Sequence, residues 1–327
     1  MKISVIIPCY NCEEFVHKAI ESVLNQTHAD WELILVDNNS SDGTFRVLKN
    51  FELQVPEKIK ALQELKKGAP AARNRGLKAA TGEWVQFFDA DDELLPKKME
   101  NQLSIAMEKN ADIVCGAFLE IEKLRLPEGF PKGYHRARQL ILSSGKDISN
   151  NTIKTIKSPD TGNQWKAFIY SRLGITSANF WKREAVAAVN GWDENLSSSQ
   201  EYDLLFRILK NGGKIAYDLE TNTIIHKMEN SISKTSDNNR LAQIMNNSLN
   251  LRHKVRTHLA EMGELDFSMK QYFDSYFYKY LMKYKEYIPE HVEPWFDLLD
   301  LQVPVLLKLR KTSKYYAKVL EHKMNLR

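Results

Sequence analysis

The stretch WVQFFDADD, residues 84–92, decides the fold class of this chain. Residues 84–88 form a short hydrophobic run that predicts a buried β-strand, and carboxylates follow it at Asp89, Asp91 and Asp92. Carboxylates this close repel one another, so the cluster is costly unless a cation offsets the charge. Hard oxygen ligands suit Mg²⁺ or Mn²⁺, and such sites commonly use substrate phosphates as further ligands. The cluster therefore predicts a divalent-cation site, and the alternative is a solvated acidic turn at the start of a helix.

Alternating strands and helices precede this stretch. Residues 3–7 (ISVII) form a β-branched run, and residues 15–24 carry apolar side chains at helical spacing. A second apolar run, residues 33–36, stops at Asp37 and is followed by the polar loop NNSSDG and another helical pattern. Such alternation predicts an α/β fold with a doubly wound, mostly parallel sheet, in which ligands bind at the carboxyl ends of the strands. Asp37 and Asp89 both lie at such ends.

The chain of 327 residues, 43% of them hydrophobic, is long enough for two domains. We predict an α/β catalytic domain over residues 1–233, with a nucleotide half at about 1–115 and an acceptor half at about 116–233. Within the second half, residues 125–170 lose periodicity and predict a partly irregular insertion beside the site. Residues 234–327 shift to helical patterns and predict a helical carboxyl-terminal domain.

Charge and composition argue against several classes of protein. The formal charge is +4, from 46 Lys and Arg against 42 Asp and Glu, which is too small for a nucleic-acid-binding surface. No run approaches the roughly 20 apolar residues of a membrane span, and the amino terminus does not resemble a signal peptide, so we expect a cytoplasmic protein. Three cysteines make no disulfide framework. Cys9 and Cys12 form a C-x-x-C, but a redox or zinc protein would leave the acidic blocks unexplained.

Three blocks of the sequence are SVIIPCYN (4–11), VDNNSSDGT (36–44) and GAPAARNRGLKAATGEWVQFFDADD (68–92). In order and spacing they resemble the amino-terminal half of family 2 glycosyltransferases of the GT-A fold. The resemblance implies a nucleotide-sugar pocket with a metal on the diphosphate. The implied residues are Pro8 and Tyr10 lining the nucleotide, Asp37 on the base, Arg73 near the base and diphosphate, Asp89 on the donor, and Asp89 and Asp91 on Mn²⁺ or Mg²⁺. Asn38 stands where relatives usually carry a second Asp, a departure that leaves Asp37 in place.

The resemblance continues in the second half, through AAVNGWDENL (187–196), SSSQEYDLLFRIL (197–209) and HKMENSIS (226–233). In many relatives an acidic residue at the start of the middle segment's helix is the catalytic base. The matching residue here is Glu201, with Asp203 as its competitor. Transfer at the anomeric carbon needs a carboxylate that takes the proton of the acceptor hydroxyl, and its charge stabilises an oxocarbenium-like transition state. The simpler role for either residue is a favourable charge at a helix N-terminus.

Three other side chains are candidates for the site. Asp92 is a further candidate in the acidic cluster, His226 is placed to reach the metal or diphosphate, and Trp165 offers a flat face on which an acceptor sugar can stack. A histidine that ends a strand is more often structural, and most tryptophans belong to the core. Each of the three therefore has a packing role as its alternative.

The resemblance implies an inverting glycosyltransferase that moves a single sugar from a nucleotide diphosphate sugar, with UDP favoured, to a hydroxyl of a glycan or lipid-linked acceptor. The Q-x-x-R-W signature of processive relatives is absent, which favours single-sugar transfer. The implied setting is the synthesis of bacterial surface polysaccharides. The alternative is a catalytically silent nucleotide-sugar-binding protein, and the acidic residue retained at position 201 argues against it.

The carboxyl-terminal segment, residues 301–327, is strongly basic, with seven Lys and Arg against one Glu and with Tyr315 and Tyr316 interleaved. An amphipathic basic segment suits an anionic membrane surface, which would place a peripheral protein at the inner face of the cell membrane. A homodimer contact and a solvated helix face are the other interpretations of this segment.

Overall fold

The computed structural model describes residues 1–123, 147–149, 152–227 and 235–299. The chain divides into two compact units, Met1–Lys234 and Thr235–Arg327. The predicted boundary at residue 233 lies one residue before this division, and the roles assigned to the two units stay predictions. The basic segment 301–327 lies outside the described residues, as does most of the predicted insertion.

One mixed sheet forms the centre of the first unit. Its described strands are β1 (Ile3–Cys9), β2 (Trp31–Asp37), β3 (Ile59–Gln63), β4 (Trp84–Phe87), β5 (Glu93–Leu94), β6 (Ile113–Lys123), β7 (Asp147–Ser149), β8 (Thr152–Lys157), β9 (Phe180–Lys182) and β10 (Ile215–Lys227). The order along the sheet is β3-β2-β1-β4-β9-β6-β10-β5, with β8 paired to β6 and β7.

Helices accompany this sheet in the alternation that the sequence predicted. Those described in the first unit are α1 (Val16–Leu24), α2 (Thr44–Gln54), α3 (Ala69–Ala79), α4 (Lys98–Glu108), α5 (Gln164–Ile169), α6 (Arg183–Ala188) and α7 (Gln200–Lys210). The predicted α/β class is confirmed.

The four strands β3, β2, β1 and β4 pair in parallel and form one half of the sheet. In this register Cys9, Asp37 and Gln63 are neighbours at the carboxyl ends of β1, β2 and β3. Beyond β4 the sheet becomes mixed, because the short strand β9 runs antiparallel between β4 and β6. Strands β6 and β10 are again parallel, with two register shifts between Asp218 and Ile224.

Buried apolar residues of β1 and α1 form the centre of the core. Ile3, Val5 and Ile7 alternate along one face of β1 and are all 0% exposed. On α1 the buried residues recur at helical spacing, at Val16, Ala19, Ile20 and Val23, so this face of the helix packs in the core. Every second residue of β1 and the residues at helical spacing on α1 therefore belong to the same hydrophobic cluster.

Helix α3 packs closely on β1 because residue 76 is glycine. A Cβ placed on Gly76 would lie 2.4 Å from Cγ2 of Ile6, which is closer than non-bonded carbon atoms approach. Pro70 stands in the first turn of α3, where its missing N–H is not needed. This close approach fixes the position of α3, and with it the position of Arg73, relative to the strand ends.

The second unit consists of helices α8 (Asn238–Glu261), α9 (Phe267–Tyr284) and α10 (Pro289–Leu299) in its described part. Aspartates cap two of them, since Asp237 accepts from the N–H of Arg240 at 2.7 Å and Asp266 from that of Met269 at 2.6 Å. Helix α9 buries one face through Phe273, Phe277, Leu281 and Tyr284. In the described part of the chain, no helix has the length and apolar character that crossing a bilayer requires.

A polar clamp at Glu32 ties the amino-terminal ends of β1 and β2 to the loop before β4. Its Oε1 accepts from the hydroxyl of Ser4 at 2.6 Å and from the N–H of Thr81 at 2.6 Å, and Lys2 lies 3.1 Å from Oε2. Burial alone would raise the pKa of Glu32, but these hydrogen bonds outweigh it and lower the pKa to about 2. The folded state therefore prefers the ionised carboxylate more strongly than the unfolded chain does.

We predict that Glu32→Gln lowers the free energy of unfolding at pH 7 by about 1–2 kcal/mol, a value discounted for partial exposure of the side chain. The stability that Glu32 contributes is complete above its ordinary pKa of 4.5 and is lost as pH falls toward about 2. Denaturant unfolding at pH 7 and pH 4 therefore gives a smaller pH dependence for the variant than for wild type. Glu108→Gln, at an exposed carboxylate, is the control; equal pH dependence in wild type and Glu32→Gln would contradict the prediction.

Candidate functional site

The acidic loop, residues 89–92, follows β4 after one further residue, Phe88. Asp89 is partly exposed, with 37% of its side chain accessible, whereas Asp92 is only 4% exposed. The loop closes on itself through the N–H of Asp92, which donates to the carbonyl of Asp89 at 3.2 Å. Strand β5 follows directly and pairs with β10 at Ile224. The carboxylates therefore lie between the ends of β4 and β10.

Negative charge accumulates in the acidic loop. Burial, and then the charge of Asp89, raise the pKa of Asp91 to about 6, against a smaller opposing effect of His226. The pKa of Asp92 is raised well above its ordinary value by burial and by the charges of Asp89 and Asp91. Burial, the larger cause, and the neighbouring charges both disfavour the ionised carboxylates, which a bound divalent cation would favour.

Asp92 points into the protein rather than away from it. Its Oδ2 accepts a hydrogen bond from the hydroxyl of Ser177 at 2.5 Å, and the same hydroxyl oxygen accepts from the backbone N–H of Asp89 at 3.1 Å. Ser177 is fully buried. The sequence analysis missed Ser177, because nothing local marks a serine located 85 positions from Asp92 as its partner.

Arg73 connects the acidic loop to helix α7. Its Nη2 donates to Oδ1 of Asp89 at 2.7 Å, and its Nη1 donates to Oε1 of Gln200 at 3.1 Å. The guanidinium carbon also lies 4.6 Å from the ring centroid of Trp192. Arg73 is 5% exposed, and its Nε has no hydrogen-bond partner among the described residues. A guanidinium at this edge of the sheet is suited to bind an anionic ligand group through charge-assisted hydrogen bonds.

Asp37 lies at the carboxyl end of β2, where the sequence placed it. The side chain is 1% exposed; Oδ1 accepts from the N–H of Ser40 and Oδ2 from Nε2 of Gln63, each at 3.3 Å. Both hydrogen bonds are long, so the carboxylate is only weakly held by the protein. Contact between Asp37 and a nucleobase stays a prediction.

Asn38 fastens the loop that precedes α3. Its Nδ2 donates to the carbonyls of Glu64 and Lys66, at 3.1 and 2.8 Å, and its Oδ1 accepts from the N–H of Gly68 at 2.7 Å. An ionised Asp has no N–H to donate and could not replace the first two hydrogen bonds. The departure from the family pattern at position 38 therefore has a structural role here.

Pro8 lies near the carboxyl end of β1 and Tyr10 directly follows that strand, at the same edge of the sheet. Pro8 is half-buried at the end of the strand, and Tyr10 is 55% exposed just after it. Cys9 and Cys12, between and beyond them, are buried free thiols. Tyr10 thus has an exposed ring beside Asp37's strand, and its contact with a nucleotide stays a prediction.

Glu201 and Asp203 both lie in the first turn of α7 and differ in their surroundings. Asp203 is 6% exposed, and its Oδ2 accepts from Nε of Arg207 at 2.8 Å. Arg207 also donates to the carbonyls of Val189 and Gly191, at 2.6 and 2.7 Å. Through Arg207, Asp203 therefore holds α7 to the preceding turn. Glu201 is partly exposed and directly follows Gln200, the partner of Arg73.

His226 lies near the end of β10, within a short distance of the acidic loop. Its Nε2 is 2.7 Å from Oε1 of Glu93. Hydrogen bonding by its backbone N–H lowers the pKa of Asp92, against the larger effect of burial. Trp165 opens α5 and is 8% exposed, with its ring centroid 6.2 Å from that of Phe168. A metal contact of His226 and acceptor stacking on Trp165 stay predictions.

The residues of the acidic loop fit a divalent cation whose remaining ligands would come from a substrate. Among the described residues, no three His, Cys, Asp or Glu side chains are arranged as a complete metal site. Asp89 and Asp91 offer two carboxylates, and burial together with the charge of Asp89 disfavours ionisation of Asp91, which a cation would favour. A donor diphosphate supplies oxygen ligands of the kind that Mg²⁺ and Mn²⁺ prefer.

The fold and the strand-end carboxylates define a GT-A type α/β protein, which confirms the predicted fold class. The structure of Staphylococcus aureus TarS residues 1–349 with UDP-GlcNAc has a TM-score of 0.54 to this chain at 17% identity, over 89% of this chain and 83% of TarS 1–349. The mannosyltransferase PcManGT of Pyrobaculum calidifontis, solved with GDP-Man and Mn²⁺, has a TM-score of 0.53 at 15% identity, over 98% of this chain and 86% of PcManGT.

The model of glycosyl transferase family 2 matches residues 4–168, half of the chain, and the chain belongs to that family. Among curated relatives is the UDP-Glc:α-D-GlcNAc-diphosphoundecaprenol β-1,3-glucosyltransferase WfgD of Escherichia coli. It is 41% identical over 118 residues, which cover 36% of this chain and 45% of WfgD. Three such relatives are matched over 43%, 45% and 48% of their own length, so the chain spans less than half of each.

We predict that Asp203→Ala costs about 2 kcal/mol of stability, because a charged hydrogen bond is lost and the guanidinium of Arg207 keeps only carbonyl partners. The melting temperature then falls by about 4–8 °C. Glu201→Ala at the partly exposed neighbouring position changes it by less than about 2 °C. Thermal unfolding of both variants tests the prediction; equal losses would mean that both acidic residues hold the helix.

Proposed function

We propose that this chain is an inverting glycosyltransferase that moves a single sugar from a nucleotide diphosphate donor, with UDP favoured, to a hydroxyl of a glycan or lipid-linked acceptor. The single observation that carries the proposal is the double contact of Arg73. This side chain bonds Asp89 of the acidic loop at 2.7 Å and Gln200 of α7 at 3.1 Å. It thereby joins the proposed donor site to the helix that carries the proposed base, Glu201.

The donor half is formed by the ends of the parallel strands. In the proposal Pro8 and Tyr10 line the nucleotide, Asp37 accepts a hydrogen bond from the base, and Arg73 interacts with the diphosphate. The exposed ring of Tyr10 and the weakly held carboxylate of Asp37 support these roles. The TarS structure contains UDP-GlcNAc and WfgD is named for UDP-Glc, which is why UDP is preferred here.

Asp89 and Asp91 would hold Mn²⁺ or Mg²⁺, with His226 as a further candidate. Asp92 is less suited as a ligand, because it is buried and its carboxylate is bonded to Ser177. The structure of PcManGT contains Mn²⁺, and the charge of the acidic loop suits a cation in this chain. A bound divalent cation would offset the charge of the leaving diphosphate. With the leaving group stabilised in this way, no protein acid is needed to protonate it.

Glu201 is the proposed base. As the acceptor oxygen forms its bond to the anomeric carbon, the bond from that carbon to the diphosphate oxygen breaks and the diphosphate leaves with the electron pair. The carboxylate of Glu201 takes the proton of the acceptor hydroxyl. Attack opposite the leaving group inverts the anomeric configuration. Asp203 is less suited to this task because its carboxylate is already paired with Arg207.

The acceptor and the setting are proposed from relatives. WfgD is named for a diphosphoundecaprenol-linked acceptor, which supports a lipid-linked glycan as the acceptor. Surface-polysaccharide synthesis at the inner face of the membrane stays a prediction. Contact of the basic segment 301–327 with a membrane, or with a second copy of the chain, stays a prediction. A silent nucleotide-sugar-binding protein is the alternative function.

Calorimetric titration with UDP and GDP, each with and without Mn²⁺, tests the donor site. We predict that UDP binds at least about 10-fold more tightly with Mn²⁺, because Asp89 and Asp91 would hold the cation and its charge would offset that of the diphosphate. Asp91→Asn is expected to remove most of this gain and to leave metal-free binding within about twofold. Absence of any metal effect on wild type would contradict the proposed donor site.

Transfer of labelled sugar from UDP-Glc or UDP-GlcNAc to undecaprenyl-diphosphate-linked sugars tests the base. Glu201→Gln is predicted to lower kcat by about 100-fold or more while the Kd for UDP stays within about twofold. Glu184→Gln, which also removes a carboxylate from the first turn of a helix, is the matched control and should retain activity. Full turnover by Glu201→Gln would exclude Glu201 as the base, and donor binding without turnover by wild type would favour the silent alternative.

A further inference from the structure

A buried turn, residues 173–179, contacts the acidic loop through the side chain of Ser177. The hydroxyl of Ser177 donates to Oδ2 of Asp92 at 2.5 Å and accepts from the N–H of Asp89 at 3.1 Å. It therefore fixes both ends of the acidic loop with a single oxygen atom. Nothing in the sequence patterns assigned a role to this serine.

Buried amide side chains hold this turn in place. Nε2 of Gln86, on β4, donates to the carbonyl of Ser177 at 3.0 Å, and Nε2 of Gln102, on α4, donates to that of Ala178 at the same distance. Lys98, which is fully buried, bonds both glutamines. It donates to Oε1 of Gln86 and, at 2.7 Å, to Oε1 of Gln102. Buried polar groups that satisfy one another in this way form a rigid support.

The same turn contacts the helix of the proposed base. The hydroxyl of Tyr202, on α7, accepts from the N–H of Leu173 at 2.8 Å and lies 3.3 Å from the carbonyl of Gly174. Tyr202 directly follows Glu201 in the sequence. One turn thus contacts both the acidic loop and the first turn of α7.

We propose that Ser177 is a positioning residue of the donor site, whose hydroxyl holds the acidic loop in the conformation that binds a divalent cation and a nucleoside diphosphate. Asp92 is the buried anchor of this arrangement, and Asp89 and Asp91 remain as the ligands. The inference rests on the proposed function, because it assigns Ser177 to the cation and diphosphate site of that reaction.

The test is Ser177→Ala, with UDP binding measured across a series of Mn²⁺ concentrations. Without the hydroxyl, Asp92 and the N–H of Asp89 lose their shared partner and the loop loses its fixed geometry. Removing a residue that orients metal ligands typically costs 10–100-fold in metal affinity. We expect the Mn²⁺ concentration for half-maximal effect to rise by about that factor, while UDP binding without metal stays within about twofold.

Ser4→Ala is the matched control. Ser4 is likewise fully buried, and its hydroxyl donates to the carboxylate of Glu32 at 2.6 Å, at the opposite ends of the strands. Both variants remove a buried hydroxyl that donates to a carboxylate, so both lose stability. Only Ser177→Ala is expected to change the metal dependence, which separates positioning of the loop from a general loss of stability.

Asp92→Asn provides a second, independent variant. Asn keeps an oxygen that accepts from Ser177, so the proposal expects the Mn²⁺ dependence to stay within about threefold of wild type. A shift of about 100-fold would identify Asp92 as a ligand and overturn the proposal, as would a Ser177→Ala protein with wild-type Mn²⁺ dependence. If wild type shows no Mn²⁺ effect on UDP binding, the proposed donor site fails and this inference fails with it.

Discussion

The buried guanidinium of Arg73 is the interaction on which the rest of the site depends. One side chain bonds the acidic loop and the first turn of α7, and it packs against Trp192 from the turn between α6 and α7. The planar guanidinium of Arg carries N–H donors in several fixed directions, so it can bond both partners at once. The ammonium group of Lys is a compact charge on a flexible chain and does not offer this fixed geometry. Its position follows from the close packing of α3 on β1 at Gly76. Backbone packing thus determines the geometry of the site.

Burial and charge separate the roles of neighbouring acidic residues. Asp89 keeps an exposed side, whereas Asp92 is enclosed and bonded to Ser177. In α7, Asp203 is paired with Arg207, and Glu201 keeps partial exposure. In each pair the more buried carboxylate is bonded within the protein, to Ser177 in one pair and to Arg207 in the other, and its neighbour is more exposed. Residue type alone does not distinguish the two roles, because they depend on which partners the fold brings near.

The sequence predicted what local periodicity determines. The alternation of strands and helices, and the placement of Asp37 and Asp89 at strand ends, follow from apolar patterns a few residues long, and the structure has both. Strand β9 has only three residues and joins β4 to β6 in antiparallel fashion, which short patterns do not predict. Ser177 and Gln200 act through partners far away in the chain, so their contacts have no local signature.

The contact between Gly76 and Ile6 has a consequence for how this chain can diverge. Any side chain at position 76 would collide with the branched side chain at position 6, where the Cβ would lie 2.4 Å from Cγ2 of Ile6. Relatives that share this packing are therefore expected to change the two positions together, with a smaller strand residue accompanying alanine or serine in the helix. Such a paired exchange would change how closely α3 packs on β1, and Arg73 lies on that helix. The surroundings of Arg73 can then diverge through a change in the core, at a distance from the acidic loop that this side chain bonds.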